Sequence, residues 1–120
     1  SLDKINARYP LWAWYELPAG TYPNQDELIR TVGSPNVLVT RADIPDDVVY
    51  NVTKVIWENL ATLQEIHGAT KDMRLEIAID GLGAPLHPGA VRYYREIGLE
   101  IPERLLLEET TPTTEQAEGV

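Results

Sequence analysis

The clearest cluster of side chains of catalytic type lies in PLHPGAVRYYREIG, residues 85–98. His87 lies there between two prolines, and histidine is a common general base and metal ligand at neutral pH. A metal site needs further ligands at close spacing, and the sequence supplies no second histidine or cysteine beside it. We therefore keep a catalytic, metal-binding or ligand-contacting His87 as the alternative to a structural role.

The structural interpretation of this stretch is a helix start. Pro88 suits the first helical position, since its missing N–H would be unpaired there anyway, and His87 then lies at or beside the N-cap. Gly89 is small and lets a backbone or ligand approach, and Gly98 can end the helix. The expected apolar face comprises Val91, Tyr94 and Ile97. A helix start, an apolar face and a helix end thus account for every residue of this stretch, and none of them needs a catalytic role.

Other groups in the sequence give weaker evidence for a catalytic or binding site. Asp46 and Asp47 are adjacent, but neighbouring helical residues diverge, and placement in the first turn of a helix explains both. Gly81 and Gly83 do not complete a dinucleotide-binding glycine motif. Four arginines could bind a carboxylate in bidentate fashion: Arg41, Arg74, Arg92 and Arg95. We expect no catalytic residue, no metal site and no cofactor, and hence no enzyme.

Composition narrows the functional classes further. The 120 residues are 43% hydrophobic, contain no cysteine, and carry a formal charge of −9. Such a surface repels the phosphate backbone of nucleic acids, so nucleic-acid binding is not expected. The absence of cysteine excludes disulfides and thiolate sites. The chain is long enough for one domain with a buried core.

Periodicity predicts an α/β fold with three main helices and few strands. Residues 43–68 repeat apolar side chains every three or four positions, after Asp43 as cap and Pro45 in the first turn. Residues 70–80 are predicted as a second helix, and the third follows Pro88.

The strands and loops are predicted from turn residues and β-branched runs. A buried strand is expected over residues 11–17 and a short strand over residues 36–40. The segment between them, residues 18–27, is rich in Pro, Gly and Asn and is predicted to be a loop. We assign residues 1–107 to the folded portion and residues 108–120 to a disordered polar tail.

Three segments together resemble a known family. They read RYPLWAWYELPAGTYPNQDE, then TVGSPNVLVTRADIPDDVVYNVTKVIWENL, then GAPLHPGAVRYYREIG. In this order and spacing they resemble the C-terminal portion of the TAXI family, the extracytoplasmic solute receptors of TRAP transporters. The sequence departs from the family pattern at Asn24, where glycine is usual, and at Arg30, where proline is usual.

The resemblance implies a partial lobe of the type II periplasmic-binding-protein fold. It also implies a small organic anion as ligand, such as glutamate or another dicarboxylate, TRAP membrane permease subunits as partners, and a periplasmic or otherwise extracytoplasmic location. The opening SLDKINARYP has no apolar signal-peptide core. Within such a receptor, residues 18–27 would lie near the solute cleft.

Two residues of that loop are the candidate ligand contacts implied by the resemblance. Tyr22 can offer a hydroxyl to a bound carboxylate, and Gln25 is a second candidate. The alternative for Tyr22 is that it packs beneath the loop. The alternative for the whole chain is a stand-alone interaction or accessory domain without solute binding. Because a partial lobe exposes apolar side chains, such as Trp12 and Trp14, we also expect a homodimer.

Overall fold

The computed structural model describes residues 2–107, and the predicted polar tail over residues 108–120 lies outside the described residues. The described chain is a small mixed α/β structure with four α-helices and one two-stranded antiparallel sheet. Its helices are α1 (Leu2–Asn6), α2 (Asp46–Glu58), α3 (Leu60–Ile66) and α4 (Pro88–Glu96), and its strands are β1 (Ala13–Leu17) and β2 (Ile29–Gly33). This architecture is compatible with a partial lobe of a binding protein.

The helix predicted over residues 43–68 is present over residues 46–66 with one interruption. The predicted cap at Asp43 is wrong, because Pro45 occupies the N-cap position and no side chain caps α2, and the helix ends at Ile66 before Gly68 is reached. Pro45 precedes α2, and the carboxylates of Asp46 and Asp47 lie in its first turn, next to the positive end of the helix dipole. The break falls at Asn59, whose side-chain amide donates to the carbonyl of Val55. An asparagine that binds the preceding turn competes with regular helix geometry, so α2 ends and α3 begins there.

The second predicted helix, over residues 70–80, is wrong. Two short 3₁₀ helices replace it, at Gly68–Asp72 and Leu75–Ile77. Met73 and Arg74 between them have extended backbone angles, so no continuous α-helix can form. A short α-helix has a costly nucleus, and the extended residues divide this segment into two turns that are each too short to offset that cost.

The strand predictions are right in part. A strand does form within residues 11–17, but it is not buried: Trp12 and Trp14 are 40% and 44% exposed. Its partner is β2, with Tyr15 opposite Thr31, and that strand is not among the predicted ones. Residues 36–40, predicted as a strand, are irregular and exposed. The β-branched residues of this segment favour a strand by propensity. Within the described residues the segment pairs with no strand, and propensity without pairing does not form one.

The sheet is held together by side chains as well as by its ladder. The guanidinium carbon of Arg30 lies 4.1 Å from the ring centroid of Trp14, across the two strands. Such a cation–π contact stabilises an exposed pair by about 0.5–1 kcal/mol. Arg30, one of the departures from the family pattern, therefore covers part of the tryptophan face.

The core lies where α4 packs against α2. It is built around five buried residues, Ile79, Leu82, Tyr93, Tyr94 and Leu105. The chain has no phenylalanine, and tyrosine and tryptophan rings fill this space instead. The expected apolar face of α4 holds at Val91 and Tyr94, whereas Ile97 is exposed and Tyr93 is buried in its place.

The aromatic rings of the core meet edge to face. The ring centroids of Tyr93 and Tyr94 are 5.9 Å apart, those of Tyr50 and Tyr93 are 6.1 Å apart, and those of Trp57 and Tyr94 are 6.5 Å apart. This geometry suits the ring quadrupoles. The indole Nε1–H of Trp57 also donates to the Tyr94 hydroxyl at 3.1 Å, so the buried oxygen has a partner. Burial raises the pKa of Tyr94, and the hydrogen bond from Trp57 partly opposes that shift.

The backbones of α2 and α4 approach each other closely at Gly89. A Cβ at this position would lie 2.3 Å from the carbonyl oxygen of Asp46 and 2.7 Å from the backbone nitrogen of Tyr50. Both are backbone atoms, so no side-chain rotation can relieve the overlap. Glycine at position 89 therefore sets the distance between the two helices.

We predict that Gly89→Ala lowers the free energy of unfolding by about 3 kcal/mol, because the added methyl group forces the two helix backbones apart. Denaturant unfolding followed by circular dichroism measures the loss. Gly68→Ala is the matched control, since its Cβ meets nothing within 4 Å and its φ is not positive. That variant should be unchanged or stabilised by roughly 0.5 kcal/mol. Equal midpoints for the two variants would contradict the close-approach argument.

Candidate functional site

The loop between β1 and β2 contains both predicted ligand contacts, and the side chain of Gln25 closes it. The Gln25 Oε1 accepts from the backbone N–H of Tyr22 at 3.1 Å, and its Nε2 donates to the carbonyls of Pro18 at 3.0 Å and Glu27 at 2.9 Å. The Gln25 carbonyl also accepts from the N–H of Gly20. The side-chain amide of Gln25 thus forms its hydrogen bonds within the loop, and these bonds hold the loop in one conformation.

The Asn24 departure from the family pattern lies at a position with unusual backbone geometry. Its φ is +63°, and within residues 2–107 it is the one non-glycine residue with a positive φ. Asparagine tolerates this left-handed region better than other non-glycine residues. Asparagine thus suits this turn, at the position where the TAXI family that the sequence resembles usually has glycine.

Tyr22 lies in the same loop and does not pack beneath it. Its side chain is 62% exposed, and its hydroxyl forms no hydrogen bond within the described residues. The loop therefore presents a phenol hydroxyl to solvent from a backbone that Gln25 fixes. Such a group can donate to an oxygen of a bound ligand without first breaking an internal bond.

His87 is the N-cap of α4, as the sequence predicts. Its Nδ1 accepts the backbone N–H of Gly89 at 3.1 Å, and its Nε2 lies 2.9 Å from the carbonyl oxygen of Ile44, just before α2. We infer from this network that the proton is on Nε2, because Nδ1 acts as the acceptor. The side chain is only 6% exposed. Both ring nitrogens are occupied, so the geometry leaves neither one for a substrate or metal.

The other histidine, His67, provides a natural comparison. Its Nδ1 caps the 3₁₀ helix at Gly68–Asp72 by accepting from Ala69 N–H, also at 3.1 Å. His67 is exposed, however, and its Nε2 makes no bond within the described residues. The two histidines of the chain therefore share a local capping role, and only His87 adds a bond between distant segments.

Of the four arginines named from the sequence, two are paired with carboxylates. The Arg41 guanidinium pairs with Asp43, and Arg92 Nη1 donates to Asp47 Oδ1 at 2.9 Å. Arg92 also lies over the Tyr50 ring, 4.0 Å from its centroid, and thus joins α4 to the start of α2. Arg74 and Arg95 are exposed. These four side chains do not converge on one site.

Tyr50 forms a further polar contact between α2 and α4. Its hydroxyl donates to Glu96 Oε2, and this hydrogen bond, followed by partial burial, raises the pKa of Tyr50. The contact joins α2 near its start to the end of α4. It is a packing contact between helices, with no third group placed to receive a proton.

The described residues lack two features that would indicate other functions. Within residues 2–107, no three His, Asp or Glu side chains are grouped so that they could hold a metal ion. In the same part of the chain, none of the helices has the length and apolar character needed to cross a bilayer.

We predict that His87→Ala lowers the free energy of unfolding by about 2–3 kcal/mol. The loss combines a missing N-cap with a carbonyl of Ile44 left without its partner. His67→Ala is the matched control, and its loss of a single exposed cap should cost about 1 kcal/mol or less. Denaturant titration of both variants measures the difference. If the two substitutions cost the same, the bond from His87 to Ile44 contributes nothing.

A comparison with protein-family models places the chain in a family. One model, described as the NMT1-like family, matches residues 1–98. The match covers both strands, all four helices, the loop that holds Tyr22 and Gln25, and the capped start of α4. This family is of the periplasmic solute-binding kind, which supports a solute-binding function and indicates an extracytoplasmic location. The chain belongs to the NMT1-like family.

Proposed function

We propose that this chain is part of an extracytoplasmic solute receptor of the TAXI type, which delivers a small organic anion to a TRAP membrane permease. The observation that carries the proposal is the family match over residues 1–98, which contains all three segments that resemble TAXI receptors. Glutamate and other dicarboxylates are the proposed solutes. The protein then binds and releases its ligand without a chemical step and without a cofactor.

The hairpin loop is the part of the described structure that best supports solute contact. Tyr22 presents its hydroxyl on a loop whose backbone is fixed by Gln25. A rigid loop loses little conformational entropy when a ligand binds, which favours affinity. In this proposal Tyr22 donates to a solute carboxylate, and Gln25 acts by holding the loop rather than by touching the ligand.

The second candidate function is a stand-alone interaction domain. The observation that favours it is the exposure of large apolar side chains along and after the hairpin, including Leu38 at 79% and Val39 at 78%. Exposed apolar patches mark surfaces that pack against other polypeptides. A measurement of solute binding, by the chain alone and by a longer receptor that contains it, distinguishes the solute receptor from the interaction domain.

We predict that glutamate or 2-oxoglutarate binds a longer receptor that contains this chain, as measured by isothermal titration calorimetry. Tyr22→Phe should weaken the affinity about tenfold, since it removes one hydrogen bond to a charged group. Tyr15→Phe is the matched control, because Tyr15 is also an exposed tyrosine but lies in β1. Absence of heat with every dicarboxylate tested would contradict the receptor proposal. Equal affinities for the two variants would remove Tyr22 from the site.

We also propose that the chain by itself associates as a homodimer through the exposed hairpin. Light scattering over a concentration series should show a rising average mass, because Trp12 and Trp14 leave apolar surface open to water. Trp14→Ser should reduce the association. Ile97→Ser changes a similarly exposed residue at the end of α4 and should not. A constant monomer mass at all concentrations would contradict the dimer.

A further inference from the structure

A shallow pocket lies away from the hairpin loop, and three separate segments of the chain form it. Residues 8–11, residues 82–85 and residues 104–105 line a space of about 240 Å³. This is below the roughly 300–1,000 Å³ of pockets that hold drug-sized ligands, so only a small molecule fits.

Direct contacts fix the walls of this pocket relative to one another. The backbone N–H of Leu86 donates to the carbonyl of Leu105 at 2.8 Å, and Arg104 Nη1 donates to the carbonyl of Leu82 at 3.0 Å. A Cβ at Gly83 would lie 2.4 Å from Leu11 Cδ2, so the first two segments touch at this glycine. The pocket is therefore part of the packed fold.

The charge of the lining is the opposite of the charge of the whole chain. The sequence has 19 acidic and 10 basic residues, yet the pocket lining contains Arg8 and Arg104 and no acidic side chain. Within residues 2–107, neither guanidinium forms an ion pair with a carboxylate. Two cations at one pocket in an acidic chain make a local positive region that attracts anions.

One of the two arginines is oriented by a direct hydrogen bond, and the other lies near an aromatic ring. Arg104 is held by its bond to the carbonyl of Leu82, and the guanidinium carbon of Arg8 lies 5.6 Å from the ring centroid of Tyr9. A guanidinium has five N–H donors in a planar fork, so one bond to a carbonyl leaves donors for a ligand. Pre-orientation lowers the entropy lost when a ligand is bound.

The rest of the lining decides which anion fits. It is mostly apolar, with Pro10, Leu11, Ala84 and Pro85 beside the arginines and Leu82 and Leu105 buried beneath. A strongly hydrated inorganic anion gains nothing from such walls, whereas a carboxylate on a short hydrocarbon stem buries its stem against them. We propose that this pocket binds a small organic carboxylate, with the carboxylate held by Arg8 and Arg104 and the stem against Leu11 and Pro85.

This inference stands on the pocket itself and does not depend on the transporter assignment. Failure of the calorimetric test of the receptor would leave it in place, and its own failure would leave the family membership and the receptor proposal unchanged. Arg8 and Arg104 are 96 positions apart, so their spacing in the sequence does not predict a shared site, and only the fold brings them to one pocket.

The test is a titration of the ¹⁵N-labelled chain with butyrate, observed by ¹H–¹⁵N NMR. Butyrate should shift the backbone amides of residues 82–84 and the side-chain resonances of the two arginines in a saturable manner. Butyramide, a neutral analogue of the same shape, and inorganic phosphate should each bind at least about tenfold more weakly. No saturable shift with butyrate, or equal binding of phosphate, would overturn the proposal.

Variants assign the effect to the two guanidinium groups. Arg8→Gln and Arg104→Gln should each weaken butyrate binding about tenfold, because each removes a charged donor. Arg95→Gln is the matched control: it removes the same charge from an exposed arginine on α4 that does not line the pocket. Arg8→Gln serves as the second variant if loss of the Leu82 contact unfolds Arg104→Gln. Wild-type affinity in Arg8→Gln would overturn the proposal.

Discussion

The near-contact of two helix backbones at Gly89 is the constraint on which the rest of the described fold depends. A side chain of any size at this position would overlap backbone atoms of α2, so the two helices can meet only through glycine. Once they meet, His87 reaches the carbonyl of Ile44 and Arg92 reaches Asp47. A single small residue thus allows one cap and one ion pair to join segments more than 40 positions apart.

Where α2 and α4 meet, polar aromatic rings pack beside the aliphatic core residues Ile79, Leu82 and Leu105. Tyrosine and tryptophan need partners for their hydroxyl and N–H groups when buried, and the N–H of Trp57 donates to the hydroxyl oxygen of Tyr94. Tyr50 at the rim reaches Glu96 instead. Without phenylalanine, the core therefore carries hydrogen bonds as well as ring contacts, and these specify how α4 is rotated against α2.

The hairpin differs from the helical core in that the described residues leave it mostly uncovered. A two-stranded ribbon is marginally stable in water and gains stability when it packs against other structure. Its Gln25-closed loop and the Arg30–Trp14 contact are local devices that hold it together. The family to which the chain belongs binds solutes, and a preformed loop with an exposed tyrosine is consistent with that use.

The helix ends, the helical segments and the hairpin loop can be predicted from neighbouring residues alone. The capped start of α4, its glycine stop, the helical character of residues 46–66 and the loop over residues 18–27 follow from caps, apolar spacing and turn residues, whose effects act within a few positions. The structural role of His87 was also predictable, because no ligand set surrounds it in the sequence.

The remaining features of the fold depend on tertiary packing. Contacts between distant residues decide the pairing of β1 with β2, the loss of the predicted strand at residues 36–40 and the 3₁₀ turns in place of a helix. They also place Arg8 and Arg104 in the lining of one pocket. Propensity and periodicity describe a residue and its neighbours along the chain. Strand pairing, burial and pockets depend on which segments meet in space, and that is set by the packing of the whole fold.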